Sequence, residues 1–116
     1  MKSIFFDEIA NTQDYAINEF KEETLLIVSK AQTAGRGTNK NKWENADQSL
    51  AASLVFNKKI VNFKKTLIPL LAGYSFVCLN QIEDLKLKWP NDITLNEDKV
   101  GGVLVEENND LICIGL

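Results

Sequence analysis

"LKWPNDITLNEDKVGGVLVE", residues 87–106, decides how this chain folds. Strand-like segments "LKLKW" (85–89), "DITL" (92–95) and "KVGGVLVE" (99–106) are separated by the turn signal "NED", the pattern of an antiparallel hairpin. Trp89, Pro90, Asn91 and Asp92 stand where a simple turn would not need a tryptophan. Pro90 restricts the backbone, and Asn91 with Asp92 offers an amide and a carboxylate at a strand edge. A purely structural account also fits, with Trp89 filling the core and Asn91–Asp92 forming the turn. Lys99 before two strand glycines marks either close approach of backbone or ligand, or a solvated hairpin lysine beside a bulge.

Reading outward, "NND" and "DLICIGL" (110–116) extend the hairpin into an antiparallel meander. Upstream, "TLIPLLAGYSFVCLNQI" (66–82) reads as a core helix with Pro69 tolerated in its first turn. "SLAASLVFN" (49–57) is a strand, and "KKIVNFKK" turns at the surface. "TLLIVSK" (24–30) is an apolar β-branched run, expected to be a strand buried on both faces. "SIFFDEI" is a further strand, followed by a helix capped by Asn11 or Thr12, with Asp14 in its first turn and Ile17 and Phe20 facing inward. The expectation is an α/β (α+β) domain over 1–116, with two main helices against a mixed, largely antiparallel sheet.

A chain of 116 residues with 45% hydrophobic and 25% charged residues is an ordinary globular one. A net charge of -3 argues against a general nucleic-acid binder. No stretch reads as a secretory signal or a spanning helix, so the expected compartment is the cytoplasm. The chain has no histidine and no CxxC, which argues against zinc, and Cys78 and Cys113 are expected to be buried thiols.

Residues 32–48 have neither helical nor strand periodicity. Within them "AGRGTNKNKW" (34–43) carries Arg36, Lys40 and Lys42 without an acid, and Gly35 and Gly37 flank the arginine. Such a loop is either a solvated surface segment or an anion cradle, in which glycines admit backbone approach and the guanidinium offers a planar fork. It matches neither GxxxxGK[ST] nor GxGxxG.

The ordered set "NTQDYA" (11–16), "QTAGRGxxxxKW" (32–43), "KWPND" (88–92) and "KVGGVLVE" (99–106) resembles the catalytic domain of biotin protein ligases, the biotin–[acetyl-CoA-carboxylase] ligases. The resemblance implies a fold like that of class II aminoacyl-tRNA synthetases and biotin ligases. It also implies ATP-dependent activation of biotin to biotinyl-5'-AMP and transfer to a lysine of a biotin carboxyl carrier domain, with ATP and Mg2+ as cofactors. An anion must then approach an anion, at about 4 kcal/mol for contact at an effective dielectric near 20, so fixed cations are required. By the resemblance these are Arg36 and Lys99. Asn11, Thr12, Gln13 and Gln32 would hold the biotin ring, the Arg36–Gly37–Thr38 backbone its tail, and Gly102 and Leu104 its flank. Trp43 would cover the nucleotide, Asn91 would lie near phosphate and metal, and Asp92 would orient or deprotonate the acceptor lysine.

The loop departs from the usual GRGxxGRxW at Thr38, Lys40 and Asn41, with Lys40 and Lys42 supplying charge instead. Family members usually continue past "IGL" with a GxNxN-type segment, further helices and often a β-barrel domain, and some carry an amino-terminal DNA-binding domain. The expectation here is a single partial domain with neither addition, no DNA or membrane partner, and a homodimer compatible with the pattern. The rival expectations are a catalytically incomplete fragment or binding module, and a lipoate/octanoyl ligase relative.

Overall fold

The computed structural model describes all 116 residues except the side chain of Lys40, so the expectation that Lys40 restores charge lies outside the described residues. Strand β1 (Lys2–Ile9) leads into helix α1 (Thr12–Glu19), strand β2 (Leu25–Gln32), a long loop with one 3-10 turn (Thr38–Lys40), and strand β3 (Ala51–Asn57). Helix α2 (Ile68–Asn80) follows, then β4 (Leu85–Lys88), β5 (Asp92–Leu95), β6 (Asp98–Gly102), β7 (Leu104–Glu107) and β8 (Leu111–Gly115). A five-stranded sheet in the order β1-β2-β3-β8-β7 is antiparallel except for the β1–β2 pair. A second, antiparallel sheet holds β4-β5-β6.

The period of two along β3 and β8 divides the core into layers. Val55 and Cys113 face α1, where they pack with Ala16, Leu25, Ile27 and Leu111. Phe56 and Ile112 face the other way and pack with Ile68 at the start of α2. Leu85, Ile93 and Val103 form a third cluster that joins the small sheet to the large one. The expected α/β architecture with two helices is therefore present. Ile17 and Phe20 pack, half-buried, against the α1 core.

Five expectations need correction. "KVGGVLVE" is two strands rather than one. Val103, 2% exposed, drops into the core between them, so the meander is divided over two sheets. β2 is buried on its α1 face but only half-covered on the other. α2 is not a core helix: only Ile68 and Gly73 are buried, while Leu71, Tyr74 and Leu79 are exposed. Its apolar residues lie all round the helix, and β4, β5 and β7 cover one side. Cys78, on the open side, is exposed for the same reason, and Trp89 is 73% exposed rather than core-filling.

No helix among the described residues is long and apolar enough to cross a membrane.

Candidate functional site

Topology assembles the site. Parallel pairing of β1 with β2 matches Ile9 with Gln32, so the segments that leave the two strands, Asn11–Gln13 and the 33–50 loop, emerge at one edge of the sheet. Antiparallel pairing then brings Ser53, near the start of β3, beside Gly115 at the end of β8, and Gly115 beside Leu104 at the start of β7. A cavity of about 150 Å3 opens at this edge.

One wall is neutral and buried. Asn11 caps α1: its Oδ1 accepts from the Asp14 amide at 3.0 Å, and its Nδ2 donates to the Ala34 carbonyl at 2.9 Å. The cap therefore ties the helix start to the root of the loop. Gln32 Oε1 accepts from the Thr12 backbone N–H at 2.8 Å and the Thr12 hydroxyl at 3.1 Å. Thr12 Oγ1 lies 2.9 Å from Ser53 Oγ, which lies 2.9 Å from Gln13 Oε1, and Gln13 Nε2 donates to the Cys113 carbonyl at 3.1 Å.

Backbone partners fix both glutamine orientations, so both Oε1 atoms are acceptors. The chain Gln32–Thr12–Ser53–Gln13 then has three oxygen–oxygen contacts but only two hydroxyl protons. One contact always lacks a proton. With the protons directed from Thr12 to Ser53 to Gln13, Gln32 Oε1 keeps the Thr12 backbone N–H and has a lone pair left for a ligand N–H.

The opposite wall is charged and half-exposed. Lys99 Nζ lies 3.0 Å from Asp92 Oδ1 and 5.2 Å from the centroid of the Trp43 ring, within cation–π range. The pairing of β5 with β6 skips Val100, a bulge that separates Lys99 from the regular register. The indole lies against the backbone at Gly102, where a Cβ would sit 3.4 Å from two ring carbons. Asn91 is doubly tied to Val103: its Nδ2 donates to the Val103 carbonyl at 3.0 Å, and its carbonyl accepts from the Val103 N–H at 2.9 Å. Lys42 lines the same wall.

Arg36 lines the cavity too, but its terminal nitrogens are engaged. Nη1 meets Asp14 Oδ1 at 2.7 Å and Nη2 meets Glu106 Oε1 at 2.6 Å. Burial pulls its pKa down, yet the hydrogen bonds to Glu106 and Asp14 outweigh this and hold it above the ordinary guanidinium value. Behind this cluster, burial first and then the Glu106 charge push the Cys113 thiol up to about 12, only partly offset by Arg36. Cys113 is thus a protonated filler at neutral pH, not a nucleophile.

The cavity brings together the residues expected to meet biotin, ATP or the acceptor: Asn11, Thr12, Gln13 and Gln32 on the neutral wall, and Arg36, Gly37, Thr38, Trp43, Asn91, Asp92, Lys99, Gly102 and Leu104 around the remainder. Sequence reasoning missed Ser53, whose fully buried hydroxyl links Thr12 to Gln13. The one available signal was its position two residues from Ala51 and Val55, on the inward face of a strand. Among the described residues no group of three or more acidic or cysteine side chains forms a metal cage.

Residues 6–116 match the biotin/lipoate A/B protein ligase family. The bifunctional ligase/repressor BirA of Bacillus subtilis is 34% identical over 113 residues, which cover 89% of this chain and 34% of that protein. The chain superimposes with a TM-score of 0.88 on the biotin acetyl coenzyme A carboxylase synthetase of Helicobacter pylori, solved with bound biotinylated ATP. That match has 32% identity and covers 98% of this chain and 58% of the other. The biotin protein ligase of Aquifex aeolicus in complex with biotin and ATP gives 0.79 at 30% identity, covering 99% and 51%. The chain spans about a third of the BirA length and little more than half of these solved structures. With matched residues running from β1 to the end of β8, and both walls of the cavity inside the match, the chain belongs to the biotin/lipoate A/B protein ligase family.

Proposed function

We propose that this chain carries the biotin-activating site of a biotin protein ligase, which joins biotin to ATP as biotinyl-5'-AMP, releases pyrophosphate and passes the biotinyl group to a lysine of a carrier domain. The observation that carries this reading is the division of one cavity into a neutral wall one proton short and a charged wall centred on Lys99. A ureido ring both donates and accepts hydrogen bonds, so it fits Thr12, Gln13, Gln32 and Ser53. The dithiolane of lipoate does neither, so it would leave unused the donor and acceptor capacity that these side chains keep beyond their mutual bonds. Biotin is favoured over lipoate on that ground.

In the first step the carboxylate of biotin attacks the α-phosphorus and pyrophosphate leaves. Lys99 is set to neutralise the oxygens that approach one another, and Lys42 adds charge from the loop. The Asn91 amide oxygen and the Asp92 carboxylate are hard donors that suit Mg2+ as part of a shell completed by phosphate and water. When bound, the ion would screen the phosphate charge. In the second step Asp92 orients the acceptor amine, whose ordinary pKa of about 10.4 calls for a base nearby.

At about 150 Å3 the cavity is smaller than the roughly 300–1,000 Å3 usual for small-molecule sites. Ligand entry therefore requires the Trp43 indole to swing off Gly102, after which it can close over the reactive anhydride and exclude water. The test is exchange of labelled pyrophosphate into ATP. Exchange that requires biotin and ignores lipoate supports the reading. Exchange with lipoate moves the specificity to the other arm of the family, and a well-folded chain with neither exchange nor biotin binding overturns it.

A further inference from the structure

Arg36 spans three elements: the loop that bears it, α1 through Asp14, and β7 through Glu106. Neither carboxylate lines the cavity. The arginine side chain is partly buried, and its two terminal nitrogens are divided one to each acid. This cluster holds one cation and two anions, so an incoming carboxylate or phosphate meets net negative charge there rather than a bare arginine.

Within the loop, Gly37 N–H donates to the Asn41 carbonyl at 2.6 Å, Trp43 N–H donates to the Gly35 carbonyl at 2.9 Å, and Arg36 bridges Lys42. These bonds make residues 35–43 a narrow hairpin. Gly35 is packed into its base, where a Cβ would come within 3.0 Å of the Gln32 amide nitrogen and 3.2 Å of the Trp43 carbonyl. Fixing the guanidinium therefore fixes the hairpin backbone, and with it the stretch that presents Lys42 and the Trp43 indole to the cavity, while the indole itself can still swing off Gly102.

We propose that Asp14 and Glu106 are positioning residues that anchor this lid through Arg36, and that Arg36 is a strut rather than an anion ligand. The role of countering substrate charge then falls to Lys99 and Lys42. The anchor stands on the contacts alone, whereas the assignment of substrate charge rests on the proposed function. Two charge-assisted bonds from a preorganised planar fork make a tether that no single lysine reproduces, because an ammonium cannot span both acids in the same geometry.

The test is limited chymotrypsin cleavage after Trp43 in the ligand-free protein, with folding checked by thermal melting. Asp14→Asn with Glu106→Gln together should raise the cleavage rate about tenfold, the equivalent of one charge-assisted hydrogen bond. Arg36→Ala should do the same, adding it to the double variant should change nothing further, and Arg36→Lys should fall between. ATP binding separates strut from ligand by sign: the double variant should bind ATP more weakly if Arg36 is a strut, and more tightly if the acids merely compete for it. Unchanged cleavage in the double variant, or tighter ATP binding by it while Arg36→Ala loses ATP, overturns the proposal. Glu106→Gln alone keeps shape and hydrogen bonding, so it carries the cleavage test should the double variant fold poorly. Cleavage is read without ligand, so it is decided even if the cavity takes neither biotin nor ATP.

Discussion

The two walls of the cavity are built on opposite principles. Asn11, Thr12, Gln13 and Ser53 are at most 5% exposed and sit at the α1 cap, on α1 or on β3; Asn11 bonds to backbone, and the other three are linked through short neutral hydrogen bonds. Lys99, Asp92 and Trp43 are partly exposed, hang from a hairpin and a loop, and are held by an ion pair and a cation–π contact. A buried neutral network is costly to leave incomplete, so it selects a ligand by shape and proton count. Half-exposed charges are screened and can exchange partners cheaply, which suits groups that must grip different species along a reaction.

The contrast is broken most severely at Lys99. Lys99→Ala should lower biotin-dependent pyrophosphate exchange by about 10²–10³-fold, the usual effect of removing one preorganised electrostatic contact. Biotin binding without ATP should change little, because the neutral wall is untouched. Comparable loss of both would mean that the walls do not act separately.

The neutral wall should respond through stability as well as binding. Thr12→Val keeps the volume but removes the hydroxyl between Gln32 and Ser53, and should cost about 1–3 kcal/mol of unfolding free energy. Denaturant titration measures it, and a change under about 0.5 kcal/mol, as for a typical surface substitution, would sink the claim that this hydroxyl links the buried network. Ser53→Ala tests the same chain from the other side, and its effect should not add to that of Thr12→Val.

Thiol chemistry gives a smaller effect of definite sign. Cys78 is exposed and Cys113 fully buried, so at pH 8 one thiol should alkylate readily and the second only after unfolding. The folded Cys113 is held up to about 12 from an ordinary 9.0. Below pH 9 both states keep the proton and no pH dependence arises. Between 9 and 12 the unfolded chain releases it first, so stability should fall as pH rises through that window. Equal alkylation of both cysteines in the native protein would contradict the packing behind the neutral wall.

How much of this was legible depends on how local the cause is. The α1 cap at Asn11 and the presence of strands at β2 and β3 are written within a few residues and appear as read, whereas the cover on the second face of β2 does not. The break at Val103 is not local: its amide bonds to Asn91 and its side chain joins a core supplied by Leu85 and Ile93. Residues 66–82 were misread because apolar composition reports a tendency to be buried, not what is present to cover a helix on each side. Site residues came together because spaced motifs carried them. Ser53, Asp14 and Glu106 escaped because a strand serine and two acids have no signature until the partner is placed opposite.

The smallest expected effect lies at the tip of the hairpin that carries the charged wall. Asn96 and Glu97 form its two-residue loop with φ of 50° and 72°, the left-handed pair of a type I′ turn. Asparagine tolerates that region, whereas glutamate pays for it through crowding of its Cβ. Glu97→Gly should therefore stabilise by about 0.4–1 kcal/mol, the relief of strain exceeding the backbone freedom given to the unfolded chain. Because Lys99 lies two residues away in β6, a turn relieved of strain should leave its amine beside Asp92 as in the parent. Pyrophosphate exchange in Glu97→Gly at or slightly above the parent rate fits a charged wall that works from a fixed hairpin. A more stable but clearly slower variant would mean that this wall, unlike the neutral one, needs its hairpin to move.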